Sequence, residues 1–148
     1  MWYDGYWMEF KEYICTYCGE PADTKDHVIP VSWNHMSRKN ADYSDKKVVP
    51  ACNQCNLTLG NIAYHTIQTR AAYLIQKYMK KYKKLLKSPI WTPEEISELG
   101  RGLRGKILEL QMERRIIQNR LDRLTVISLS QFTISDIWDF IYNPPKRT

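Results

Sequence analysis

The feature that most restricts this chain is where its cysteines fall. There are four, and all belong to two Cys-x-x-Cys pairs, Cys15-Thr-Tyr-Cys18 and Cys52-Asn-Gln-Cys55. Two intervening residues let both sulfurs of a pair turn toward one point, and two such knuckles supply the four thiolates of a tetrahedral zinc site. The competing use, a pair of disulfides, needs an oxidising compartment. The N-terminal MWYDGYWMEF is aromatic and carries acids, with neither the basic start nor the continuous apolar stretch of a secretory signal, so the expected setting is the cytoplasm. The expectation is therefore a structural zinc held by Cys15, Cys18, Cys52 and Cys55. Turn-permissive residues follow the pairs, Gly19 the first and Asn56 the second.

A metal staple suits a chain of 148 residues, which is enough for one compact domain or for a small stapled core with helical extensions. No run of about 18 apolar residues occurs, so no membrane span is expected. Between the knuckles, Thr24 to Val31 and Lys46 to Ala51 read as two short extended runs. The polar, turn-rich SWNHMSRKNADYSD from Ser32 to Asp45 reads as the loop joining them. After Cys55 the pattern becomes helical. The expected fold class is α+β, mostly α: a two-stranded element and a helix on one zinc, followed by long basic helices. Residues 1–62 would form the core, 63–127 a basic helical region serving DNA binding or dimerisation, and 128–148 a tail with a short helix.

Charge is unevenly placed. Residues 1–26 lean acidic, whereas residues 66–92 hold Arg70, Lys77, Lys80, Lys81, Lys83, Lys84 and Lys87 and no acid. Such a block raises affinity for a polyanion by counterion release, which marks these seven residues as a candidate DNA-binding set. Lysine blocks hold backbone phosphates and carry no code for bases.

The order Cys-x-x-Cys, then Asp26-His-Val-Ile-Pro30, then Val49-Pro-Ala-Cys-Asn-Gln-Cys-Asn56, with Leu59-Gly60 after it, resembles the zinc-containing HNH endonucleases of phage type. It is also similar to recombination endonuclease VII of phages, in which a four-cysteine zinc site, an Asp-His pair and an asparagine after the last cysteine recur. The likeness spans residues 13–62 and implies a ββα-metal core. It implies that Asp26 and Asn56 bind one divalent cation, Mg²⁺ or Mn²⁺, and that His27 is the general base. Two departures stand out: Lys47 occupies the position of a family asparagine, for which Asn40 could substitute, and Leu59 that of a family lysine. The chemistry is intelligible in its own right. An imidazole with a pKa near ~6.5 is ready to take a proton from water at neutral pH, and a carboxylate with an amide oxygen suits a hard cation. On a regular strand, however, successive side chains face opposite ways, so Asp26 and His27 need a bulge or a strand end to address one phosphate.

Further along, Ile67, Ala71, Leu74, Tyr78, Tyr82 and Leu85 recur at helical spacing and predict a helix over 62–87. Thr92-Pro93-Glu94-Glu95 has the form of a capped helix start, and Gly100, Gly102 and Gly105 are expected to interrupt that helix. A longer helix over 103–125 carries Leu103, Ile107, Leu110, Ile117, Leu121 and Leu124 along one side, and a small zinc core offers little surface to cover it, which raises pairing in a homodimer. Thr133 to Asp136 caps a short tail helix that docks on the core or binds a partner. Trp2, Tyr3, Tyr6, Trp7 and Phe10 are expected to pack on the zinc core, and His35 and His65 to be exposed or structural. The expected activity is metal-dependent DNA hydrolysis, in the bacterial host cytoplasm if the chain is phage-encoded. The alternative is a non-catalytic, zinc-stabilised protein that binds DNA or a host protein.

Overall fold

The computed structural model describes residues 13–28 and 48–142. The expectations for the aromatic N-terminus and for His35, Asn40 and Lys47 lie outside these residues. Within them the chain is mostly helical around one small sheet, in agreement with the α+β, mostly α expectation. Strand β1 (Thr24–His27) pairs antiparallel with β2 (Val48–Ala51), in the unbroken register Thr24↔Ala51 to His27↔Val48. Pro50 is tolerated because a two-stranded sheet leaves each strand an edge where a missing N–H costs no ladder bond; its carbonyl accepts from Thr16 N at 2.9 Å.

Helix α1 (Asn53–Leu59) starts at the second knuckle, where Cys52 is the cap and its Sγ accepts from Cys55 N. The second knuckle is thus completed by a helical turn, and Asn56 is a helical residue, not a turn. The first knuckle does turn in the left-handed region, at Gly19 (φ 81°). Helix α2 (Ile67–Lys81) is capped by Thr66, whose hydroxyl accepts from Thr69 N at 3.1 Å, and it buries Ile67, Arg70, Ala71, Leu74 and Tyr78. The predicted 62–87 helix is shorter at its start and breaks at Tyr82 (φ −103°, ψ 20°), beyond which α3 (Lys83–Leu86) forms one more turn.

Helix α4 (Pro93–Ser97) opens with the reciprocal bonds expected of Thr92 and Glu95. Helix α5 (Arg101–Leu129) is continuous, so Gly102 and Gly105 do not interrupt the helical run as expected. Both glycines are exposed with open space where a Cβ would lie, and the good helix formers around them carry the ~1 kcal/mol that each costs. The second half of α5 lies on α2 and buries Ile117, Arg120, Leu121, Leu124 and Ile127. The first half does not follow: Leu103 is 53% exposed and Leu110 46%. Helix α6 (Ile134–Tyr142) is capped by Thr133 and Asp136, which bond each other's backbone N–H. It docks on the core, where buried Trp138 donates from Nε1 to Val48 O at 2.9 Å.

One hydrophobic cluster runs from the cysteines through Val28, Val49 and Leu59 to Leu74, Tyr78, Leu124 and Ile127. Packing therefore continues across residue 62, where the core and the helical region were expected to part. Each fully buried Leu or Ile there contributes ~1.5–3 kcal/mol. No described helix is long and apolar enough to cross a membrane.

Candidate metal centre and the neighbouring strand

The four cysteines converge. Cys15 and Cys18 come from the first turn, Cys52 from the end of β2 and Cys55 from α1. All are buried and unbridged, with every Sγ within 4.8 Å of the others. Cys18 and Cys52 Sγ are 3.6 Å apart. Four sulfurs at these separations, none oxidised to a disulfide, can hold a metal ion. The thiols are also unequal: burial pushes Cys15 up, bonds from Cys15, Cys52 and Cys55 pull Cys18 down, and Cys52 is drawn to about 7, first by its bond with Cys15.

Sequence reasoning overlooked what surrounds this cluster. Tyr78 Oη donates to Cys55 Sγ at 3.0 Å. Arg120, 6% exposed, reaches from α5 with Nη1 donating to Gln54 Oε1 at 2.6 Å and Nη2 lying 3.9 Å from Cys52 Sγ. A signal existed: Arg120 is in helical phase with Ile117, Leu121 and Leu124, all of which face the core.

The strand beside the cluster separates the residues expected to act together. No bulge is present, and alternation turns Thr24 and Asp26 to one face and Lys25 and His27 to the other. Asp26 is buried among three donors. Arg70 Nη2 donates to Oδ1 at 2.6 Å, Arg70 Nε to Oδ2 at 3.0 Å, and Tyr17 Oη also bonds Oδ2. Arg70 is fully buried, and its Nη1 donates to Tyr64 O at 2.8 Å. This corrects the expected DNA-binding set: Arg70 is an interior ion-pair partner, and the exposed members of the set are Lys77, Lys80, Lys81, Lys83, Lys84 and Lys87. Arg70, too, stands in phase with Ile67, Ala71 and Leu74. Tyr17, also fully buried, is pushed up by burial and then by the Asp26 charge, so it stays a neutral donor.

Asn56 is half-buried, and its Nδ2 donates to Thr24 Oγ1 at 3.2 Å and to Lys25 O at 3.0 Å, fastening α1 to β1. Its contact is thus with the face that carries Asp26. His27, half-buried at the end of β1, is held below the ordinary histidine range by burial, and the Lys25 and Arg70 charges add to this against the opposing pull of Asp26. It is therefore neutral at pH 7, the form that accepts a proton. His65 is exposed.

No family model, curated protein or solved structure matches this chain.

Proposed function

We propose that the protein is a zinc-stabilised, HNH-like DNA endonuclease that hydrolyses phosphodiester bonds. The observation that carries this reading is the joint arrangement of two antiparallel strands and a helix on a four-cysteine cluster, with a neutral histidine ending the first strand. Cys15, Cys18, Cys52 and Cys55 would hold zinc as a structural ion. His27 takes the proton of the attacking water, and the six lysines from Lys77 to Lys87 hold backbone phosphates. A bound Mg²⁺ or Mn²⁺ would supply stabilisation of the charge developing on the phosphate, and Asp26 with Asn56 are the residues that the resemblance assigns to it. They do not fit it as they stand, because a guanidinium already compensates the Asp26 carboxylate. That ion pair favours a second reading, a non-catalytic zinc-stabilised protein that binds DNA or a host protein. Under either reading the setting is a bacterial host cytoplasm if the chain is phage-encoded, and the exposed first half of α5 would serve a homodimer.

The test is cleavage of linear, supercoiled and four-way-junction DNA with Mg²⁺, Mn²⁺ or EDTA, comparing wild type with His27→Ala. The endonuclease reading expects divalent-dependent cutting that His27→Ala abolishes while DNA binding persists. Cutting retained by His27→Ala removes that residue from the reaction, and no cutting of any substrate by wild type selects the second reading. Removing zinc should loosen the first sixty or so residues, as circular dichroism before and after chelation would show.

A further inference from the structure

A buried guanidinium needs an anion, and Arg120 has no carboxylate partner among the described residues. Its hydrogen-bonding neighbours are Gln54 Oε1, Tyr78 Oη at 3.4 Å and Cys52 Sγ, and its guanidinium carbon lies 4.9 Å from the centre of the Tyr78 ring. The negative charge within its reach is that of the cysteine cluster. A divalent ion on four thiolates carries a net charge of about −2, which a buried site must offset with cations and hydrogen bonds to sulfur. Tyr78 Oη supplies such a bond to Cys55, and Arg120 supplies the cation beside Cys52. The two support each other, since Arg120 Nη2 donates to the oxygen that in turn donates to Cys55.

We infer that Arg120 and Tyr78 are the outer sphere of the metal centre and set its affinity, so that the helical pair α2 and α5 is part of the metal site and not only a cover for it. Gln54 orients the group: its carbonyl holds Arg120 while its amide donates to Tyr82 Oη at 2.8 Å. The two outer residues are 42 apart in sequence and come from different helices, so the metal ties together elements that the knuckles themselves do not contain.

This inference rests on the zinc half of the proposed function and is independent of catalysis. Zinc affinity is measured on the full chain by competition with a chromophoric chelator, for wild type, Arg120→Met, Arg120→Lys and Tyr78→Phe. Cobalt-loaded samples report the thiolate-to-metal charge-transfer band, which responds to hydrogen bonding at sulfur. The expected result is a roughly ten- to hundredfold loss for Arg120→Met, with Arg120→Lys retaining most of the affinity. Tyr78→Phe should show a smaller loss and a shifted cobalt band. If Arg120→Met fails to fold, Tyr78→Phe decides. Affinities of Arg120→Met and Tyr78→Phe within about threefold of wild type, with unshifted spectra, overturn the inference. Absence of zinc binding by wild type would instead overturn the metal reading beneath it.

Discussion

Replacing Arg70 with methionine should cost this fold more than any exposed substitution, because it strands a buried carboxylate. Arg70 and the Asp26 side chain are 0% and 3% exposed, so neither can turn to water when its partner is removed. Methionine refills much of the volume and leaves Asp26 with the Tyr17 hydroxyl, which cannot offset a full charge; Tyr64 O also loses its donor. Breaking a buried pair from one side costs ~3–5 kcal/mol. With a urea dependence of roughly 1–3 kcal/mol per molar, the unfolding midpoint should fall by about 2 M. The assay is urea unfolding followed by far-ultraviolet circular dichroism with the metal loaded. The double variant Arg70→Met, Asp26→Leu removes both charges and should recover most of the loss, since apolar replacement of a whole buried pair is often neutral. A single variant within about 1 kcal/mol of wild type, or a double variant no better than the single, would refute the view that this pair is dry and mutually dependent.

Other outcomes follow from the structure. Because burial lowers the His27 pKa, cleavage that uses it as a base should stay level as pH falls through ~6.5 and decline only below that value; a decline starting above it in the pH profile of kcat/KM contradicts the assignment. The stability term has the matching sign: the folded state favours the neutral imidazole, so its contribution is complete above the ordinary histidine value and is lost as pH drops through the lower folded one. Replacing Lys80, Lys81, Lys83 and Lys84 with glutamine should weaken DNA binding equally across sequences and reduce the salt slope by ~0.9 for each phosphate that is no longer neutralised, measured by fluorescence anisotropy at several salt concentrations. Gly102→Ala and Gly105→Ala should each stabilise the first turns of α5 by ~0.4–1 kcal/mol, read as slower amide exchange there, since an added Cβ meets nothing.

The parts of the fold that were legible beforehand are those written in short-range spacing. The paired cysteines, the caps at Thr92 and Thr133 and the stripe from Ile67 to Tyr78 depend on neighbours a few residues away, and each is found where the spacing puts it. What escaped depends on long-range pairing. Composition groups Arg70 with the lysines, whereas the carboxylate it pairs with lies 44 residues earlier. Helical phase alone would have flagged Arg70 and Arg120, since both sit among core-facing residues of their helices. The glycines of α5 misled because propensity treats them as breaks, whereas a long helix with an exposed flank tolerates them. The Asp26 and His27 question was posed correctly by strand alternation, and the unbroken register keeps the two on separate faces.

Helix α5 is one helix by hydrogen bonding but two by environment. Over its 29 residues it spans about 44 Å, and only the second half is pressed against α2. Amide exchange along it should therefore be graded. Protons near Leu121 and Leu124 would be released only when the whole core opens, while those near Gly102 and Gly105 would be released by fraying that leaves the core untouched. The first turns of this helix can then bend, melt or be ordered by a binding partner without any penalty passing to the cysteine cluster.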